Sequence, residues 1–399
     1  MRKIAKALIE PVRLAIEYLS LPTTAKAEIR SDRRGELFDD PGPEVVAKAG
    51  INWLSTAQDN SPNHDGGVAR NYSLISGWAN SYPETTGYIV PTFLNWYDRY
   101  GEAGIRDRAH RMLRWFQEIQ FPEGGFQGGM IGSRPRVPVT FNTGQILLGL
   151  AAGVESFGDE FLYTMRLAAD WLKDTQDSDG AWRRHPTPFA IGGEKTYETH
   201  VAWGLFEAAR VDERRGYGEA GVKNVEWALR KQRENGWFDD CCLDQPETPL
   251  THTIGYAVRG ILECWRYSND DKYFKAAART LAIIEKLVKE DGRLQGRFDS
   301  NWKPAVSWVC VTGCAQLADC FLIASMAGGS GSFYDTGRRL NSFVRRTIQV
   351  DGPDETRGAV KGSYPVDGAY GELQYLNWAT KFSIDSNLRE LDMAGQPAR

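Results

Sequence analysis

A tryptophan, a glutamine five residues on and a glycine four beyond that recur in this chain at nearly constant spacing. The register runs Trp115, Gln120, Gly124, then Trp171, Gln176, Gly180, then Trp227, Gln232, Gly236, each set 56 residues after the last. Trp53 and Gln58 open the series; Ile283, Val288, Gly292 and Phe343, Ile348, Gly352 continue it with the glycine kept. Six copies of one unit fix a repeat architecture before any site is considered.

A second series, Gly87, Gly144, Val201, Gly255, Gly313 and Gly371, lies between the members of the first. Each opens an apolar segment of helical length, such as 144–157 and 313–327, apolar around its whole circumference and therefore buried. The segments that end in the tryptophan and glutamine positions alternate charge with apolar residues at helical period, as half-exposed helices do. Six buried and six amphipathic helices describe an all-α (α/α)6 toroid over residues 43–399. Residues 1–42 form an N-terminal amphipathic helix and connector.

No interior linker breaks the repeat, so one domain is expected. The formal net charge of −4 and pI near 5.9 give no global attraction for nucleic acid. Cys241, Cys242, Cys264, Cys310, Cys314 and Cys320 show no disulfide-framework spacing and fit a reducing, cytoplasmic compartment. No 18-residue apolar run is present to span a membrane. Residues 2–19 combine Ile4, Leu8, Ile9 and Val12 with Arg2, Lys3, Lys6 and Arg13, a pattern that either packs on the toroid or touches an anionic membrane surface. Residues 23–42 are charged and read as a mobile connection.

The run Gln176 to Trp182 has the form Gln-x-x-x-Gly-x-Trp, with close variants at 120–126 and 232–238. This resembles the repeat of the squalene cyclase and prenyltransferase-like toroids. Similar six-hairpin toroids serve polysaccharide lyases, unsaturated glucuronyl hydrolases, glucuronyl epimerases and several glycosidases, so the resemblance implies the fold and leaves the reaction open. The Asp-x-Asp-Asp acid motif of class II terpene cyclases is missing. Protein prenyltransferases bind zinc through Asp-x-Cys and a distant histidine. Asp239, Cys241 and His252 supply those residue types but lie close together in sequence, so a zinc there competes with inert buried thiols. No other cofactor is implied.

In such toroids the loops that enter the inner helices converge at one end of the funnel. Superposing the copies three residues before the second series brings together Glu84, Phe141, Glu198, His252, Cys310 and Gly368; the neighbouring positions hold Asn142, His200, Tyr88, Gln145, Tyr256 and Glu372. Threonines and first-turn acids at such positions also cap helices and complement their dipoles. Histidine is the side chain suited to accept and return a proton near neutrality. The entering loops interleave Arg134, Arg136 and Arg183 with Trp182, Tyr197 and Trp308, and Tyr370 closes the sixth copy. Guanidinium groups bind carboxylates bidentately while aromatic faces stack on sugar rings.

These residues point to an enzyme acting on an acidic, uronate-containing polysaccharide or oligosaccharide, lipid-linked in one version. The expected chemistry is proton abstraction at C5, as in a lyase or epimerase. His200 or His252 would be the base, Tyr256, Tyr88 or Tyr197 the acid, and Asn142 with Arg134 or Arg136 the carboxylate-neutralising groups. Three alternatives stay open: a glycoside hydrolase using Glu84 and Glu198, an isoprenoid-binding cyclase or prenyltransferase-like toroid, and a non-catalytic glycan-binding toroid.

Overall fold

The computed structural model describes residues 18–395. The basic apolar segment 2–19 lies almost wholly outside them. Twelve of the described helices alternate between two rings. Preceding them is α1 (Thr23–Arg33). The outer ring comprises α2 (Pro43–Asp59), α4 (Ala103–Ile119), α6 (Leu162–Thr175), α8 (Tyr217–Leu229), α10 (Asp271–Leu287) and α12 (Gly331–Arg345). The inner ring comprises α3 (Pro83–Tyr100), α5 (Thr140–Phe157), α7 (Thr199–Val211), α9 (Thr251–Ser268), α11 (Val311–Met326) and α13 (Asn377–Ala394). Each inner helix packs on the next, and α13 returns to α3 and α2, so the ring is closed. The chain is an all-α (α/α)6 toroid.

Helix type follows residue pattern. In α10 the buried residues Tyr273, Ala276, Ala277, Thr280, Leu281 and Ile284 form one stripe toward the inner ring, and the Asp270 carboxylate caps the Lys272 amide at 3.0 Å. In α5 every residue from Thr140 to Ala151 is buried, because it has an outer helix behind it and inner helices on either side.

The glutamine of the repeat is a stitch between neighbouring outer helices. Gln176 Nε2 donates to Gly180 O of its own turn at 3.0 Å and to Ala220 O on α8 at 2.9 Å. Gln120 repeats this with Gly124 O and Thr164 O, and Gln58 with Gly66 O and Arg108 O. The glycine is required on two counts. Gly180 has φ +102°, and a Cβ there would be driven into the Lys223 carbonyl of the next outer helix.

The sixth copy departs from the expected register. Its close-approach glycine is Gly358, against Ala49 of α2, rather than Gly352, which faces its own Gln349. Gly371 opens no helix; it lies in a turn, and α13 begins at Asn377. The hydroxyls of Thr86, Thr143 and Thr380 each accept from a mouth-loop amide (Val68, Phe126 and Val360), so Lys381 holds the place of Gly87 and Gly144. The shift arises because a strand that closes the ring stands ahead of α13: β3 (Gln374–Leu376) pairs antiparallel with β1 (Asn71–Ser73), which also pairs with β2 (Gly77–Trp78).

Residues 23–42 are not a mobile connection. Buried Asp32 on α1 accepts from Lys361 Nζ at 2.6 Å and Val366 N at 2.8 Å, and Asp40 receives Arg345 through two contacts of 2.7 and 2.8 Å. Their charges are consumed in strapping the chain across the sixth copy.

Gly180→Ala is expected to cost at least about 2 kcal/mol, and Gln176→Leu, which strips two carbonyls of their donor, about 1–3 kcal/mol. Urea unfolding measures both. A Gly180→Ala protein as stable as its parent would show that the turn can retreat from α8.

Candidate active site

The loops from outer to inner helices meet at one end of the ring around a cavity of about 190 Å³. Its wall is built from the first turns of α3 (Glu84, Tyr88), α5 (Phe141, Asn142), α9 (His252, Tyr256) and α13 (Trp378), with Arg70, Tyr82, Tyr197 and Tyr370 from the loops. The opposite end is shut by buried ion pairs. Arg259 binds Glu263 at 2.8 Å and also Asp319, which receives Arg389 as well, while Lys381 binds Asp385 at 2.7 Å. The Arg259 guanidinium stacks on Trp203 at 4.0 Å.

His252 is held by one strong contact: its Nδ1 lies 2.6 Å from Gln316 Oε1. An amide oxygen only accepts, so with Gln316 in this orientation Nδ1 carries the proton and Nε2 is the lone-pair nitrogen available to the cavity. Burial pushes its pKa down to about 4, opposed weakly by Gln316, so the imidazole is neutral at physiological pH. Tyr256 packs on it at 4.4 Å and Tyr370 at 5.3 Å.

His200 repeats this arrangement below the cavity wall. Its Nδ1 lies 2.6 Å from Gln145 Oε1, and its Nε2 is sealed without a partner. Tyr256 lies at 4.4 Å from this ring too, between the two histidines. Burial, then the Lys381 and Arg259 charges, holds His200 well below the ordinary imidazole range. His200 and Gln145 therefore support the floor and do not line the cavity.

Glu84 accepts from Tyr82 Oη at 2.6 Å. Burial raises its pKa to about 7, with the Tyr82 hydrogen bond and the Arg70 charge opposing. Glu198 is not on the cavity wall; it is buried with Oε2 unpartnered, and burial lifts it to about 8 against the pull of Lys195. The two carboxyls expected as a hydrolase pair are thus not assembled across one cavity.

The expected arginines lie elsewhere. Arg134 and Arg136 are exposed on the second mouth loop, Arg136 over Phe121 at 5.0 Å. Arg183 is consumed by Asp177, Asp179 and Glu194. Trp182 is core, its Nε1 donating to Leu172 O at 2.8 Å; Trp308 covers Gly296, and Glu372 lies on the surface. Tyr88, Tyr197, Tyr256 and Tyr370 do line the cavity, as does Asn142, whose amide nitrogen is buried without a partner. Burial raises all four phenols.

The proposed zinc set does not converge. Asp239 pairs with Arg233 at 2.7 Å, and Cys241 Sγ donates to Thr253 O at 3.4 Å, its thiol pushed by burial up to about 12. Among the described residues no three His, Cys, Asp or Glu side chains gather closely enough to hold an ion.

Sequence reasoning missed Arg70, Tyr82, Trp378 and Gln316. Aligning the sixth copy on Thr380 would have placed Trp378 with Glu84 and His252. Arg70 lies in the first mouth loop, two residues beyond Val68, where neither of the two sequence registers reaches, and gave no signal.

With this geometry in view, comparison with known proteins is informative about fold. The profile of the squalene-hopene cyclase C-terminal domain family matches residues 80–260. No curated protein sequence matches significantly. Among solved structures, an unsaturated glucuronyl hydrolase specific for heparin is similar at 14% identity and TM-score 0.71, over 88% of this chain and 97% of that one. Cellobiose 2-epimerase from Bacillus thermoamylovorans is similar at 12% identity and TM-score 0.66, over 92% and 100%. A D-mannose isomerase is similar at 12% and 0.69, over 88% and 97%. These similarities agree with the (α/α)6 toroid fold seen in the chain.

The carboxyl of Glu198 gives a stability test. Its native pKa of about 8 lies above the ordinary 4.5, so its contribution is complete below the unfolded carboxyl range and is lost as pH rises toward 8. The melting temperature is expected to fall between about pH 5 and pH 8, and Glu198→Gln to flatten most of that slope, by calorimetry. An unchanged slope in the variant would place the effect elsewhere.

Proposed function

We propose that this toroid is a carbohydrate-active enzyme that abstracts a proton from carbon in an acidic sugar. The observation that carries the reading is the His252 imidazole, fixed by Gln316 with a free nitrogen toward a cavity walled by aromatic side chains. The similar toroids named above are a glucuronyl hydrolase, an epimerase and an isomerase, which favours a sugar as the occupant. The cavity volume of about 190 Å³ suits one pyranose ring and is small for a long polyene, which weighs against the isoprenoid alternative.

On a uronate, His252 Nε2 would take the C5 proton and the electron pair would spread onto the carboxylate. Two outcomes balance. Reprotonation at the opposite face inverts C5. Expulsion of the C4 oxygen forms the C4–C5 double bond, and that oxygen takes up a proton. Tyr256, with its hydroxyl beside that of Tyr88, is the acid on hand. The hydrolase alternative has a glucuronyl hydrolase among the similar toroids but loses the expected carboxyl pair, since of Glu84 and Glu198 only Glu84 meets the cavity. Six buried free cysteines agree with a cytoplasmic setting. Among the described residues no helix is long and apolar enough to cross a membrane; peripheral contact through residues 2–19 and a lipid-linked glycan belong to this proposal.

The test is incubation with uronate polysaccharides in heavy water, with NMR for deuterium at C5 and ultraviolet absorbance for unsaturated ends. One or both signals are expected, falling at least about 100-fold in His252→Ala. Reducing ends with neither signal would replace this reading with hydrolysis. The rate should drop on the acid side as pH falls through about 4, where His252 becomes protonated and can no longer accept; an acid limb near neutrality would exclude His252 as the base.

A further inference from the structure

Arg70 is the cationic side chain that the cavity keeps for itself. Its backbone is pinned on both sides: Arg70 N donates to Asn80 O at 3.0 Å, and Arg70 O accepts from Asn377 N at 3.2 Å. Nη1 is occupied by two neutral acceptors, Asn71 Oδ1 at 2.8 Å and Gln374 Oε1 at 3.1 Å. The guanidinium lies over the Trp378 ring at 4.9 Å and the Tyr82 ring at 5.9 Å. Among the described residues it has no ion-pair partner, whereas Arg183, Arg259 and Arg297 are all neutralised by carboxylates. What is left is the Nε–Nη2 edge, the side of a guanidinium that receives a carboxylate through two parallel hydrogen bonds.

The acid facing this cation is Glu84, through Tyr82. Tyr88, Tyr197, Tyr256 and Tyr370 also feel its charge, all held as neutral phenols, and His252 across the cavity is neutral as well. A second anion arriving beside Arg70 would oppose ionised Glu84, while protonated Glu84 offers it an O–H donor.

We propose that Arg70 is the receptor for the substrate's carboxylate and that Glu84 must carry its proton for that carboxylate to bind. This rests on the reading of the cavity as a site for an acidic sugar and deepens it: the sugar's acid group sits against the Arg70–Trp378 wall. Glu84, lifted to about 7, can supply the protonated form at little cost near neutrality.

Binding without turnover tests this. D-glucuronate, its methyl ester and D-glucose are titrated into the full chain by calorimetry at about pH 6 and pH 8. The free acid should bind at least about tenfold more tightly than the ester at the lower pH, and roughly tenfold more weakly at pH 8, where most Glu84 would be ionised. Arg70→Gln should abolish the preference for acid over ester. Arg70→Lys, which keeps the charge without the fork, should retain only part of it and serves if the glutamine variant fails to fold. Glu84→Gln should keep the preference while losing the pH dependence. Equal binding of acid and ester, binding of none of the three, or an undiminished preference in Arg70→Gln overturns the Arg70 assignment; pH-independent affinity in the parent overturns the role of Glu84. Acid selectivity without proton exchange at C5 would remove the catalytic reading and leave this one standing.

Discussion

The junction between one outer helix and the next holds the molecule in its shape. At each well-formed junction a glycine in a left-handed conformation lets a turn touch the carbonyls of the neighbouring helix, and a glutamine amide bonds to both sides of the contact. Neither helix can bury its apolar stripe alone, so stability is shared between adjacent units as in other repeat folds. Where the glutamine is replaced by Val288 in the fifth copy, Gly292 still meets the Arg339 carbonyl. Close approach is therefore the constraint kept throughout, and the hydrogen bonds reinforce it. The inner helices, spaced by this outer frame, have their first turns directed at one point.

That convergence explains the chemistry of the cavity. Burial is the largest influence on His252, Glu84 and the phenols there: it holds the imidazole neutral, Glu84 protonated into the neutral range and the phenols unionised. The cavity consequently holds few full charges, and Arg70 stands out as a cation whose plane is fixed by stacking. The funnel floor contrasts with this, since the positive groups there are matched by Glu263, Asp319 and Asp385.

The toroid was legible because its physical cause is periodic: Trp115, Trp171 and Trp227 recur with the same glutamine and glycine because the same contact is built each time. The first turns of the inner helices were legible for that reason also, and His252, Tyr256, Glu84 and Asn142 were found by superposing copies. Position on the helix did not reveal depth. His200 sits two residues beyond the position that Glu198 and His252 share and is turned beneath Tyr256, and Glu198 is buried off the cavity wall. Loop charges were misread for a further reason. Arg183 has three acidic neighbours folded onto it, whereas Arg70 has only neutral ones, and that difference depends on contacts made by distant segments such as Gln374. The closing copy was shifted because the strand Gln374–Leu376, paired with Asn71–Ser73 of the first copy, stands between Gly371 and α13.

Among the described residues, buried ion pairs fill the lower funnel beneath the cavity. A polymer cannot be threaded through a ring plugged by Arg259, Lys381 and their partners, and whatever enters must leave by the same opening. If the occupant is a glycan, it presents an end to the cavity, one residue deep, while the rest of the chain stays outside the mouth. On the proposed reading the toroid would work from a terminus and release its polymer between turnovers, a distributive mode set by the charges at the floor rather than by the groups at the mouth.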